Sequence, residues 1–372
     1  KSHFKSEKPK NLVIFLQESL GAQFVGVLGD KRGLTPEFDK LSKEGILFTD
    51  LYSNGTRSVR GIAGVVAGFL PVAGQGVVKR NRSQSEFFTV ASLLKPYGYY
   101  SSFIYGGEKR FDNMASWFYG NGFDEIIDEK MFENPIFKGV WGASDEDLVN
   151  RANEEFEALY KKDKPFVSVM FSTTNHTPFE FPDGRIELMD GVKKHSVENA
   201  IKFADFAIGK FIRDAKKLSY YKDTIFVIVA DHNVRVYGDD LIPLNMFHIP
   251  ALIVGGGVEP LHVDKLTTQP DVVATALDLV GLDLEYPILG KSIFSNSKKE
   301  VSLIQFHDMF GLRVGNKIAI IQPNVEPLTF VYENGHLTGI EHDKKLEHDL
   351  VSFITVIHHL YSTKTHTLPK GK

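Results

Sequence analysis

Two carboxylates, an imidazole and a hydroxyl stand where this chain can bring them together. Asn11-Leu12-Val13-Ile14-Phe15-Leu16-Gln17-Glu18 is an apolar run that ends in an acid. Thr224-Ile225-Phe226-Val227-Ile228-Val229-Ala230-Asp231-His232 is a second run, ending in Asp-His. Both read as buried strands of a parallel sheet. Sites in open α/β sheets lie beyond the carboxyl ends of the strands, so Glu18, Asp231 and His232 can converge there. Two acids and an imidazole can hold a divalent metal. Thr56 lies in Ser53-Asn54-Gly55-Thr56-Arg57-Ser58-Val59-Arg60-Gly61, a hydroxyl followed closely by two arginines. A metal beside a hydroxyl lowers its pKa and makes it a nucleophile. Arg57 and Arg60 suit a phosphate or a sulfate, although Arg60 could instead pair with a carboxylate on its own helix.

Each residue also has a plainer reading. Glu18 alone fits a solvated strand end equally well. An Asp-His pair after six apolar residues has little packing rationale. Gly55 permits a tight turn, and a helix start just after it offers free N–H groups to an anion. His176, in Ser172-Thr173-Thr174-Asn175-His176-Thr177-Pro178, follows another buried strand and so falls on the same rim; the alternative is a histidine that merely ties down a loop. His248 precedes a strand, and the loop after Asp231 either folds it back to the site or leaves it structural. His195, His262, His307, His336, His342, His348, His358, His359 and His366 read as surface residues.

The elements that must position these groups alternate. Strand-like runs at Leu12–Leu16, Ile46–Tyr52, Tyr99–Tyr105, Phe166–Phe171, Thr224–Ala230 and Ala251–Val254 are separated by helical patterns. This predicts an α/β fold with a mainly parallel sheet and helices on both faces. Thr35-Pro36-Glu37 reads as an N-cap with Pro at the first helical position, and Gly45 as the stop. Ser144 opens a helix to about Lys161, and Ser196 to Lys216 is a long amphipathic one. After Ser297 the pattern changes. Val301–Phe306, Leu312–Gln322 and Leu328–Ile340 read as antiparallel strands, with a hairpin turn at Asn334-Gly335. A helix over Lys345–Thr363 closes a small C-terminal antiparallel α+β subdomain.

Composition sets outer bounds. The 372 residues have room for one large α/β domain and a smaller unit. A net charge of −4 favours neither nucleic acid nor a polybasic membrane patch. With no cysteine, a disulfide, a thiolate metal site and a cysteine nucleophile are all excluded. Gly61 to Val78 is the longest weakly charged stretch, but its five glycines, Pro71 and Gln75 make it a poor membrane span. It reads as a small-residue helix packed closely on the sheet. The chain therefore reads as soluble, and its polar leader, Lys1–Lys10, as a linker of the kind that joins a domain to an upstream membrane segment.

Thr35-Pro36-Glu37-Phe38-Asp39-Lys40-Leu41-Ser42-Lys43-Glu44-Gly45-Ile46-Leu47-Phe48 lies between the metal acid and the hydroxyl. With Asp271 and Ala274-Thr275-Ala276-Leu277, it resembles segments of the alkaline phosphatase superfamily in its sulfatase-like branch. The resemblance covers residues 10 to 295. It implies a linker at 1–10, a sulfatase-like catalytic domain at 11–296 and a small sheet and helix at 297–372. Sulfatases need a cysteine or serine in a Cys/Ser-x-Pro-x-Arg context, and this chain has Gly55-Thr56-Arg57-Ser58. Phosphoethanolamine transferases of lipid A use a threonine but usually carry several disulfides. Lipoteichoic acid synthases and related phosphoglycerol transferases use a threonine without them. Their Glu, Thr, Asp and His metal set matches Glu18, Thr56, Asp231 and His232, and their NHxP histidine matches His176. Where those synthases present His, Trp and Arg, this chain has Tyr105, Asp112 and Met114. That pattern is more similar to Gram-negative relatives that modify periplasmic glucans.

The resemblance implies transfer of phosphoglycerol from phosphatidylglycerol, through a covalent threonine intermediate, to a glycan or polyol acceptor. It makes Thr56 and His176 catalytic. It assigns one divalent metal, Mn²⁺ with Zn²⁺ or Mg²⁺ as alternatives, to Glu18, Thr56, Asp231 and His232. Arg57, Arg60, Arg110, Asp112, Asn113 and His248 are the candidate substrate-binding residues. The partners implied are a phospholipid head group and the acceptor, with no nucleic acid, at the periplasmic face of the inner membrane. Rival readings are a phosphodiesterase or phosphatase, a phosphoethanolamine transferase, and a non-catalytic metal-binding module for envelope glycans.

Overall fold

The computed structural model describes residues 1–296 and 300–369. The expected start of the C-terminal unit, residue 297, lies outside them. Eight strands form the main sheet: β1 (Asn11–Gln17), β2 (Ile46–Phe48), β3 (Tyr100–Tyr105), β4 (Glu125–Ile127), β5 (Phe166–Phe171), β6 (Thr224–Ala230), β7 (Ala251–Gly255) and β8 (Leu261–Val263). Their order is β8-β2-β7-β6-β1-β5-β3-β4. Only β7 runs against its neighbours, β6 and β2. Every residue of β1, β5 and β6 is buried, as continuous apolar runs in a sheet covered on both faces require. The three-residue strands β4 and β8 escaped the sequence reading because so short a run has no measurable period. The expected strand Ile46–Tyr52 is broken after Phe48, and Leu51–Tyr52 pairs separately with Thr267–Thr268.

The helices are α1 (Pro36–Leu41), α2 (Ser58–Val66), α3 (Val90–Leu94), α4 (Met114–Gly120), α5 (Asp145–Lys161), α6 (Val197–Ala215), α7 (Gln269–Val280) and α8 (Lys344–Ser362). Ser144 and Ser196 cap α5 and α6 by accepting the N–H groups of Asp147 and Asn199. Thr35 precedes α1 as expected, but its hydroxyl accepts the N–H of Gly26 instead. Asp205 of α6 takes the free N–H groups of Glu37 and Phe38, at 2.8 and 2.9 Å. The cap of α1 is therefore tertiary.

A second sheet contains β9 (Val301–Phe306), β10 (Met309–Val314), β11 (Lys317–Ile321), β12 (Leu328–Glu333) and β13 (His336–Gly339), all antiparallel in chain order. Leu312–Gln322, expected as one strand, spans the turn between β10 and β11, whereas Leu328–Ile340 folds as a hairpin about Asn334-Gly335 as expected. Asn334 and Gly335 both have positive φ, 53° and 84°, as a tight two-residue turn demands. Helix α8 packs against β10 and β11. Residues 1–10, expected as a linker, lie against α7 and the turn before β6: His3 bonds Asp278 and Lys8 bonds Asp223. His366 corrects its surface assignment. It is 1 % exposed, packs among Phe69, Phe87 and Phe88, and bonds the carbonyl of Ala67.

Candidate active site

Strand register sets the site. Leu16 is level with Phe171, and Gln17 with Ala230, so β1, β5 and β6 end together. Glu18, Ser172 and Asp231 are the next residues. The N–H of Asp231 bonds the carbonyl of Gln17 at 3.1 Å, and that of Glu18 bonds the Ser172 hydroxyl at 2.8 Å. The two acids thus leave the sheet side by side.

Asp231 uses one oxygen locally. Its Oδ1 accepts the N–H groups of Ser19 and His232, at 2.8 and 2.7 Å. Its Oδ2 is buried, has no hydrogen-bond partner, and lies 3.3 Å from His232 Nε2. Glu18 Oε1 accepts from the Ser19 hydroxyl at 2.5 Å and sits 3.7 Å from the same Nε2. His232 Nδ1 is 2.6 Å from the carbonyl of Asn233. A carbonyl can only accept, so Nδ1 carries a proton and Nε2 is the atom turned toward the acids.

One ligand atom from each of Glu18, Asp231 and His232 lies within 4.8 Å of the others, all three buried. Burial, and then the charge of Asp231, push Glu18 far above the ordinary carboxylate range. Burial disfavours a charged His232, but Asp231 and Glu18 outweigh it and raise its pKa. The cluster therefore gathers positive charge. An orphaned carboxylate oxygen, a second carboxylate and an oriented imidazole fit a divalent metal.

Helix α2 is pressed against this cluster. Gln269 of α7 clasps the turn by bonding the carbonyls of Ala230 and Asp231. Asn54, two residues before Thr56, donates to Leu303 of β9 at 2.7 Å. The small sheet therefore steadies the loop that carries the hydroxyl.

Above the cluster opens a cleft of about 910 Å³, within the usual range for a small-molecule site. Glu18, Thr56, Arg57, Ser58, Arg60, Asp112, His176 and His232 line it. His176 places Nδ1 3.0 Å from the carbonyl of Thr177, which leaves Nε2 for the cleft. Its ring lies 4.0 Å from that of Trp141, whose indole N–H bonds the same carbonyl at 2.7 Å. Arg60 bonds the carbonyls of Val72 and Gly74 at 3.3 and 2.6 Å, so it braces the opposite wall instead of pairing with an acid. Burial, then Arg80 and Arg57, lower its pKa to about 10. Asp112 is paired with Lys79 at 2.5 Å.

Three expected substrate residues lie outside the cleft lining. Arg110 is largely exposed beside Glu108, and Asn113 donates to the carbonyl of Lys79; neither lines the cleft. His248 is stacked on Tyr52 and bonds the carbonyl of Thr49 at 2.7 Å, outside the cleft lining. Burial lowers its pKa, in keeping with a structural, neutral ring. Met114 belongs to the core. The sequence reading passed over Ser58, Trp141 and Lys79. Ser58 had a legible signal, a second hydroxyl two residues after Thr56 at the helix start. Trp141 and Lys79 had none, because they arrive from distant loops.

A hydroxyl at a helix start beside a buried Glu-Asp-His cluster, on the C-terminal edge of a mostly parallel sheet, defines a site of the alkaline phosphatase superfamily. The chain belongs to the sulfatase family, whose model matches residues 10–282. A solved alkaline phosphatase superfamily protein from Vibrio parahaemolyticus is 43% identical, with a TM-score of 0.95 over 99% of this chain and 90% of that one. The lipoteichoic acid synthase LtaP from Listeria monocytogenes shares the fold, at 19% identity and a TM-score of 0.82 over 96% of this chain and 94% of that one. Lipoteichoic acid synthase 2 of Bacillus subtilis is 24% identical over 80% of this chain and 49% of its own length. Phosphoglycerol transferase I of Salmonella arizonae is 27% identical over 84% of this chain and 42% of its own length. The chain thus spans about half the length of the curated relatives it matches. Among the described residues no helix is long and apolar enough to cross a membrane.

Proposed function

We propose that this chain is the catalytic part of a phosphoglycerol transferase that draws on phosphatidylglycerol and serves a glycan or polyol acceptor. The observation that supports the reading is one cleft lined by Thr56, His176 and the Glu18-His232 edge of the acidic cluster. Glu18, Asp231, His232 and the Thr56 hydroxyl would hold the cation, Mn²⁺ first and Zn²⁺ or Mg²⁺ as alternatives. A divalent cation there supplies Lewis-acid stabilisation of the charge that develops on oxygen.

The chain's own residues do the rest. Thr56 Oγ1 forms a bond to phosphorus as the bond to the diacylglycerol oxygen breaks. Thr56 loses its proton to water as it attacks, and protonated His176 gives its own proton to the departing oxygen. Glycerophosphoryl-Thr56 and diacylglycerol result. An acceptor hydroxyl then attacks phosphorus and passes its proton to the now neutral His176, which restores it, while the departing Thr56 oxygen takes its proton back from water. Arg57, at the mouth of the cleft, offers a planar pair of donors to the phosphate. This work belongs at the periplasmic face of the inner membrane, where phosphatidylglycerol and envelope glycans meet.

Mass spectrometry of the Thr56 peptide, after incubation with detergent-dispersed phosphatidylglycerol or phosphatidylethanolamine, tests the reading. A glycerophosphate adduct on Thr56 is expected. A phosphoethanolamine adduct would reassign the donor, and turnover with no adduct at Thr56 in a rapid quench would remove the covalent step.

A further inference from the structure

Ser58 is the first residue of α2, and its half-buried side chain does not cap the helix. Its hydroxyl lies 3.2 Å from Glu18 Oε2 and 3.2 Å from His232 Nε2. With Nδ1 bonded to the carbonyl of Asn233, the neutral ring that a metal ligand must be would offer its lone pair at Nε2. Ser58 therefore stands between two acceptors with one proton to give. Three residues on, and so on the same helix face, Gly61 touches the backbone and Cβ of Asp231. One face of α2 thus meets all three members of the cluster. Because Gly61 fixes the approach of the helix, Ser58 cannot drift away from Glu18 and His232.

We propose that Ser58 is a positioning residue of the metal site, an inference that rests on the metal-dependent reading above. With a cation taking His232 Nε2 and Asp231 Oδ2, the Ser58 proton is committed to Glu18 Oε2. With Ser19 on Oε1, both oxygens of that carboxylate are then oriented by hydroxyls. Outer hydrogen-bond partners of metal ligands contribute about 10- to 100-fold to metal affinity.

The test is calorimetric titration of Mn²⁺ into the metal-stripped chain, with Ser58→Ala and Ser58→Thr alongside, plus the melting temperature of each metal-free form. Ser58→Ala should bind Mn²⁺ about 10- to 100-fold more weakly, with a metal-free melting temperature close to that of the unaltered chain. Ser58→Thr keeps the hydroxyl and should restore most of the affinity. Unchanged affinity in Ser58→Ala overturns the proposal, whether or not the variant melts lower, because the serine would then be packing only. No Mn²⁺ binding by the unaltered chain overturns it too, together with the metal-dependent reading. The titration involves no lipid, so a donor other than phosphatidylglycerol would undo the proposed activity and leave this result standing.

Discussion

Gly61 and Asp231 are in direct backbone contact: a β-carbon built on Gly61 would fall 2.6 Å from both the Cβ and the carbonyl oxygen of Asp231. In a free helix, Gly→Ala stabilises by about 1 kcal/mol. Here the sign should reverse, because neither the helix nor the Gln269-clasped turn can yield cheaply. Gly61→Ala is expected to destabilise by about 1–3 kcal/mol, the usual range for overpacking, and to cut activity as α2 is pushed off the cluster. Urea melts of the two forms decide the sign; a stabilised variant would show that the contact is loose.

Asp231→Asn tests the charge without altering the shape. The substitution keeps an acceptor for the N–H groups of Ser19 and His232 and removes one of two crowded carboxylates. Mn²⁺ affinity should fall by about 100-fold or more, since a charged oxygen donor is lost. The metal-free protein should melt no lower than the unaltered chain, because the repulsion that raises Glu18 is relieved. Retained tight binding on a calorimeter would refute the ligand assignment.

Thr56→Ala should abolish turnover and the covalent adduct while shifting the melting temperature little. Thr56 is only partly buried at the cleft wall, so its side chain carries little packing. Thr56→Ser retains the oxygen and should keep part of the rate. Release of diacylglycerol by Thr56→Ala at the unaltered rate would exclude this hydroxyl as the nucleophile.

His366 should make the chain acid-sensitive. Burial lowers its pKa to about 4 from the ordinary histidine value of 6.5. The folded state therefore favours the neutral ring. The associated stability is fully present above pH 6.5 and is lost as pH falls through about 4. At 1.36 kcal/mol per pKa unit this amounts to roughly 3 kcal/mol. His366→Gln keeps a donor for Ala67 and has no proton to gain. The stability gap between the two forms should shrink by that amount between pH 7 and pH 4 in urea melts, and a gap constant with pH would mean the ring is not buried neutral.

The sequence by itself determined the parts that local chemistry dictates. The apolar runs of β1, β5 and β6 could only be buried strands, so Glu18, His176 and Asp231-His232 were bound for one edge of a sheet. Ser144 and Ser196 announced α5 and α6, and Asn334-Gly335 announced a hairpin, because caps and turns are local hydrogen-bonding problems. Tertiary structure decided the rest. The register of Gln17 against Ala230 turned three nearby side chains into one cluster. Asp205 capped a helix more than a hundred residues away in the chain. His248, Arg110 and Asn113 had suitable chemistry for the cleft, but packing and loop paths sent them elsewhere. His366 became a core residue because three phenylalanines closed around it. Ser58 became part of the site only when Gly61 let α2 settle onto Asp231. Residue type and spacing report what a side chain can do; distances between segments far apart in sequence decide whether it meets the partners it needs.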